Sequence, residues 1–307
     1  MGHARYSASQ TKQWWECPGS LAISLQFPET RGGSGVHAQL GTCAHALIEK
    51  VLENDDDPYS YMGRIIEVLH PDTDAEDVAI LPPKAKAPKE PDRVWFEVDD
   101  EMLEAVVVMV QYVRDRRELM DADMTLEGYT IPLPERDDTG GTADVTLDSW
   151  PDELELIDYK NGSGVYVPIE GNKQLRSYIL GRAEETLWAH DKYTYTIVQP
   201  RHIDAKVASV NGDGITSETI TRDELLEFRD GLRAAAIRVD KAREVAEDYA
   251  EQFDGVNVSQ MGMMEVLHNE GMISLGKDGS HCTFCDHKAI PCIAWLKKTE
   301  ETVAMDF

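Results

Sequence analysis

Asp144, Asp158 and Lys160 are the residues whose types and spacing could do chemistry. In Leu154–Glu155–Leu156–Ile157–Asp158–Tyr159–Lys160, strand periodicity puts Asp158 and Lys160 on one face, because side chains alternate along an extended chain. In Thr142–Ala143–Asp144–Val145–Thr146–Leu147 the same rule sets Asp144 opposite Ala143, Val145 and Leu147. If the two strands pair across a turn at Trp150, Asp144 approaches Asp158. Two such carboxylates suit magnesium or manganese, hard cations that take oxygen ligands at about 2.1 Å and keep several waters. A bound ion of that kind acidifies water and offsets negative charge on a transferring phosphoryl group. The Lys160 ammonium can orient an attacking water or offset the developing charge. An isolated Asp-x-Lys is also a common pattern on the polar face of an edge strand. Here it has an aspartate on the preceding strand, and Gln174 and Tyr178 follow at helical i,i+4 spacing.

The elements that must position these groups follow from pattern. A helix is predicted over 42–52, with His45 and Glu49 on one face, and a short one over 20–25 ahead of Gly32, Gly33 and Gly35. Residues 71–95 read as a proline-rich surface excursion. A second long helix starts near Asp99 or Asp100, with Leu103, Val106, Val107, Val110 and Val113 as its buried stripe. Strands are predicted over 124–131, 142–147, 153–160 and 193–199, with a turn at 137–141. A helix over 172–189 separates the last two, a further strand or hairpin lies within 203–220, and a helical tract runs over 221–251 with Thr221 and Glu224 as a capping pair. This order gives an α/β fold with a mixed central sheet and flanking helices. The chain reads as one domain, 1–307, with a core over about 36–205.

Composition limits the function classes. No apolar run approaches the roughly 20 residues of a membrane span, and residues 1–13 lack the apolar core of a secretory signal, so the expected place is the cytoplasm. The net charge of -27 opposes long-range attraction of nucleic acid. Divalent cations in a carboxylate site reverse that field locally. Acidic runs over 53–57, 72–77 and 97–104 read as solvated faces.

Three of the five cysteines, Cys282, Cys285 and Cys292, form a C-x2-C-x6-C cluster, which in a cytoplasmic chain argues for metal before disulfide. Cys17 or Cys43 is available as a fourth thiolate. Four sulfur ligands suit zinc or an iron–sulfur cluster alike, and His281 and His287 keep a mixed Cys/His zinc site open.

Taken together, Gly141–Thr142–Ala143–Asp144, Ile157–Asp158–Tyr159–Lys160 and Gln174–Leu175–Arg176–Ser177–Tyr178 resemble motifs II, III and Gln-x3-Tyr of the RecB-like PD-(D/E)XK nucleases. Gly41–Thr42–Cys43–Ala44–His45–Ala46–Leu47–Ile48–Glu49 resembles their first motif. The likeness runs over residues 14–292 and is nearest a phage or prophage exonuclease branch, related to the CRISPR-associated and AddB-type iron–sulfur nucleases. It implies a restriction-endonuclease-like core and makes His45, Asp144 and Asp158 ligands of magnesium or manganese, with the Ile157 carbonyl as a further contact. It makes Lys160 the catalytic lysine, with Gln174 and Tyr178 supporting the site and lining the DNA path. It also implies a [4Fe–4S] cluster on Cys17, Cys282, Cys285 and Cys292, joining terminal segments at about 10–30 and 265–300.

The expected activity is therefore exonucleolytic hydrolysis of DNA, at single-stranded or processed ends, in phage replication, recombination or repair. A recombinase, helicase or single-strand-binding protein is the expected partner, in a bacterial host cytoplasm. Lys173, Arg176, Arg182 and Arg201 are the candidates to track phosphates. Two other readings stand beside this one: an inactive DNA-processing partner module, favoured by the charge, and a zinc-stabilised protein-interaction domain.

Overall fold

The computed structural model describes residues 6–27, 35–69, 78–83, 93–126, 139–253, 258–275, 280–282, 285, 292–294 and 296. The acidic run at 72–77, residues 127–131 of a predicted strand, residues 137 and 138 of the predicted turn, Gly32, Gly33 and His287 lie outside them. In chain order the strands are β1 (Tyr6–Ser7), β2 (Ile65–Leu69), β3 (Val78–Leu81), β4 (Arg93–Glu97), β5 (Asp123–Leu126), β6 (Thr139–Gly140), β7 (Val145–Ser149), β8 (Glu153–Tyr159), β9 (Lys192–Val198) and β10 (Ile215–Ile220). The α-helices are α1 (Thr11–Glu16), α2 (Pro18–Gln26), α3 (Val36–Asn54), α4 (Asp100–Met120), α5 (Lys173–Glu185), α6 (Ile203–Ala208), α7 (Arg222–Glu251) and α8 (Gln260–Asn269). None of the described helices is long and apolar enough to cross a membrane.

The chain divides into two compact units, Met1–Ala8 with Gly33–Leu225, and Ser9–Gly32 with Leu226–Phe307. The first is built on a five-stranded mixed sheet in the order β10-β9-β8-β7-β5, so the expected α/β class is present. β7 and β8 form an antiparallel hairpin, and α5 carries the chain from β8 to β9, which lies parallel to it. Opposite faces of β8 meet different helices. Glu155 points toward α4, where it accepts hydrogen bonds from Arg116 Nε at 2.6 Å, Tyr112 Oη at 2.7 Å and Thr196 Oγ1 of β9 at 2.7 Å. A carboxylate buried this completely needs such partners to offset its lost hydration. Asp158, on the alternate face, meets Gln174 of α5. The apolar core of the unit lies among α3, α4 and the sheet, and includes Leu47, Val51, Leu103, Val106, Val110, Leu147 and Ile157.

Local signals explain several boundaries. Asp99 Oδ1 accepts the Met102 N–H at 2.9 Å and caps α4, whose first turn carries Asp100 and Glu101 where the helix dipole favours negative charge. Asn172 caps α5 in the same way, through Leu175 N–H at 3.1 Å. Thr221 and Glu224 form a reciprocal capping box on α7.

Other expectations need correcting. The 71–95 segment contains β3 and the start of β4, which pair with β2 in a second, three-stranded sheet. Within 203–220 the expected strand is present as β10, but α6 precedes it, where His202 Nδ1 accepts the Asp204 N–H and starts a helical turn. The strand predicted over 142–147 begins only at Val145.

In the second unit, Cys17 and α2 share a core with the later helices. Cys17, Ile23, Ala242, Met263, Leu267, Ile273 and Ala294 lie in one cluster. Gly19 donates its N–H to Met272 O at 2.8 Å, and a Cβ there would stand 2.7 Å from Ile273 Cγ1, so only glycine permits this approach.

Candidate active site

Asp144 does not sit within a strand as periodicity predicts; it occupies the bend just before β7. Its side chain explains the early stop. Asp144 Oδ2 accepts the Tyr159 N–H at 2.7 Å, so a carboxylate takes the bond that a longer ladder would supply. The β7–β8 register pairs Val145 with Ile157, and one further step sets Asp144 opposite Asp158. The predicted approach of the two carboxylates is therefore present, at the strand ends.

Three further elements complete the constellation. From α3, His45 Nδ1 lies 3.3 Å from Asp144 Oδ1, and its ring packs edge-on against Tyr159 at 5.5 Å between centroids. Just past β8, Lys160 Nζ lies 2.8 Å from Asp158 Oδ2, while its backbone N–H is held by Val198 O of β9. From α5, Gln174 accepts from Lys160 Nζ at 3.3 Å and places Nε2 3.5 Å from Asp158 Oδ1. Tyr178, one turn on, is buried against Gly141: a Cβ at that glycine would lie 2.4 Å from the ring, so Gly141 is where only a bare backbone fits. The Ile157 side chain is fully buried in the core.

The electrostatics separate the two aspartates. Burial pushes both carboxyls up. For Asp144 the neighbouring His45, Lys160 and the Tyr159 N–H outweigh burial, and its pKa falls below the usual range. For Asp158 burial wins over Lys160, with Asp144 adding repulsion, and its pKa rises. Burial would lower Lys160, yet Asp158 and Asp144 more than offset this and keep it an ammonium. Glu49, a turn from His45, is raised by burial, with repulsion from Glu53 and Asp144 adding to it.

Among the described residues no three His, Cys, Asp or Glu side chains already converge as a ready-made metal cage. One observation nevertheless fits a cation. Asp158 Oδ2 is buried, and its charge is met by the Lys160 ammonium 2.8 Å away. An ionised carboxylate met by one lysine keeps lone pairs that an ion can use. Asp144 Oδ1 and the His45 ring complete a donor set suited to magnesium or manganese.

The four basic residues expected to meet phosphate are differently engaged. Arg176 donates from Nε to Tyr195 Oη at 2.8 Å and pairs with Glu218 at 2.5 Å. Arg182 pairs with Glu185 at 2.8 Å and faces Asp148 at 3.8 Å. Arg201 pairs with Glu101 and reaches Asn161. Lys173 is half-buried in the first turn of α5. Periodicity could not reveal Glu218 and Glu101, which lie 42 and 100 residues from their arginines. Sequence reasoning also missed Asn161, which accepts from Tyr159 Oη at 3.0 Å, and Gln199, whose amide holds Gly162 O at 2.9 Å, Val165 O at 2.7 Å and Val167 N–H at 3.1 Å. Gln199 thereby pins the loop that leaves the site.

In the second unit, Cys17 joins α1 to α2 and is buried, which pushes its thiol up to about 12, with repulsion from Cys285 and Cys292 adding to the effect. A cation beside Cys17 would offset the burial and repulsion that oppose its ionisation. The Cys285 N–H meets Cys282 O at 3.2 Å. Cys43 belongs to the core of the first unit, where burial alone pushes it up to about 12.

The fold and the site thus define an α/β protein with two carboxylates and a lysine at the open end of a strand hairpin. The chain belongs to the family described as Protein of unknown function (DUF2800), whose model matches residues 3–307. Among solved structures it is similar to an alkaline exonuclease (LHK-Exo) from Laribacter hongkongensis, at 14% identity and a TM-score of 0.30, over 47% of this chain and 71% of that one. For LHK-Exo in complex with dAMP the values are 14%, 0.32, 50% and 76%. Superpositions this loose transfer neither residues nor activity.

Proposed function

We propose that this chain is a divalent-metal-dependent deoxyribonuclease of the RecB-like PD-(D/E)XK type, acting as an exonuclease on single-stranded or processed ends. The observation that carries the reading is the arrival of His45, Asp144, Asp158, Lys160 and Gln174 at one point, around a buried carboxylate paired with the lysine. His45, Asp144 and Asp158 would hold magnesium or manganese, with the Ile157 carbonyl nearby in sequence. The ion supplies an acidified water and charge neutralisation at phosphate. Lys160 holds a proton against the reacting oxygen and compensates the charge that builds there. Gln174 fixes the lysine and Asp158 relative to each other, and Tyr178 walls the approach beside Gly141.

A [4Fe–4S] cluster on Cys17, Cys282, Cys285 and Cys292, or zinc in its place, would staple the second unit. Phage DNA replication, recombination or repair in a host cytoplasm, with a helicase, recombinase or single-strand-binding partner, suits an acidic nuclease that needs its substrate delivered. The pairing of Arg176, Arg182 and Arg201 with carboxylates favours a second reading, an inactive DNA-processing module. One assay separates the two. End-labelled linear and circular DNAs, single- and double-stranded, are incubated with magnesium or manganese. The expected result is metal-dependent loss of linear single strands with circles intact. Prompt cutting of circles would reject exonuclease action, and no cutting of any substrate would favour the inactive module.

A further inference from the structure

A groove of about 400 Å³ lies in the first unit, with Glu101 and Glu104 of α4 on one side and Ser163, Arg201 and Lys206 on the other. It borders the candidate active site through a short chain of contacts. Arg201 reaches Asn161 Oδ1 at 3.4 Å, Asn161 Oδ1 accepts from Tyr159 Oη, and the Tyr159 N–H is bonded to Asp144.

The arginines near the site differ in how firmly their carboxylate partners are held. Glu218, which pairs with Arg176, is 24% exposed and also accepts the Gly171 N–H at 2.8 Å. Glu101, which pairs with Arg201, is 70% exposed, whereas Arg201 itself is only 19% exposed. An ion pair with so exposed a member contributes little, so Glu101 exchanges readily for another anion. The guanidinium is the more buried member of the pair and also reaches Asn161 O and Oδ1 at 3.4 Å. A planar fork of donors presented this way matches the paired oxygens of a phosphodiester, and the Ser163 hydroxyl and Lys206 ammonium line the same groove.

We propose that this groove seats one backbone phosphate of a nucleic-acid strand on Arg201, and that Glu101 competes with it for the guanidinium. The proposal rests on reading Asp144 and Asp158 as the cleavage centre, since it gives that centre its neighbouring subsite. Glu101 then sets how tightly a strand is held and contributes to keeping this acidic protein off nucleic acid until a strand end is supplied.

The test measures binding of a fluorescently labelled oligodeoxythymidine by the full chain in EDTA, where no cleavage occurs, across a range of salt concentrations. Glu101→Gln is expected to tighten binding about two- to fivefold, the worth of an exposed pair. Arg201→Gln is expected to weaken binding, to lower the salt slope by about 0.7, the value for one phosphate contact on a single strand, and to abolish the gain from Glu101→Gln in the double variant. Arg201→Lys keeps the charge without the fork and is expected to fall between; it replaces the glutamine variant if that one melts early. Equal tightening by Glu101→Gln with and without Arg201 would overturn the proposal, as would no tightening or no binding by the wild type. Inorganic phosphate at matched ionic strength is expected to compete with the oligonucleotide on wild type more than on Arg201→Gln; equal competition on both would also overturn the proposal. Cleavage is scored separately with manganese: a chain that binds as expected and never cuts keeps the groove and loses the nuclease, and one that cuts with no Glu101 effect does the reverse.

Discussion

Lys160→Ala is expected to lose about 100- to 1000-fold in single-turnover cleavage, the effect of removing one charge-stabilising group worth about 2.7–4 kcal/mol. The loss should persist at saturating DNA and saturating manganese. The reason lies in the local electrostatics: Asp158 and Asp144 hold the lysine as an ammonium, and an ammonium cannot be a ligand, so its removal leaves the three candidate ligands in place. Removal also frees Asp158 from the charge that opposes its raised pKa. The Asp158 pKa therefore climbs further, and the variant should bind manganese less well as pH falls while recovering near-normal affinity on the alkaline side. Asp158→Ala is expected to abolish cleavage at every pH. Both variants should keep any iron they bind, because Asp158 and Lys160 belong to the first unit and the four proposed cysteine ligands to the second; each loses one member of a buried ion pair, so a lower melting temperature is expected. A folded Lys160→Ala protein with normal single-turnover cleavage would remove the lysine from the mechanism.

The second large effect concerns the cysteines. Anaerobically purified protein is expected to be brown, with about four irons per chain, and Cys17→Ala to retain less than about one. Metal bound by a folded site contributes folding energy, so this variant should also melt well below the wild type. Cys43→Ala removes only a small buried group from the core of the first unit, so iron should stay at the wild-type level and stability fall by about 1 kcal/mol. The reverse ranking would give the fourth ligand position to Cys43. Colourless, folded protein carrying zinc would replace the cluster with a zinc site.

Much of the site was legible because it is local. The Asp-x-Lys spacing needs only the two-residue period of a strand, and Gln174 with Tyr178 needs only one helical turn. Asn172 and the Thr221–Glu224 pair announced their helices through side chains that bond their own neighbours. What stayed hidden depends on groups distant in sequence. Nothing near Glu155 says that it is buried, since Arg116 and Tyr112 arrive from α4 to satisfy it. Strands β3 and β4 lie in a proline-rich stretch whose composition argues for loop, and pairing with β2 overrides that preference. Asp144 looked like a strand residue by alternation, but its bond to the Tyr159 N–H turns the chain out of the ladder.

The central claim is that His45, Asp144 and Asp158 hold one catalytic divalent cation. Calorimetric titration of manganese into the protein at alkaline pH, where both carboxyls are ionised, tests it without relying on any substrate. The predicted result is binding by the wild type that weakens at least about tenfold in each of His45→Gln, Asp144→Asn and Asp158→Asn, with folding and iron content unchanged. Manganese affinity that is indifferent to Asp144→Asn and Asp158→Asn would contradict the account.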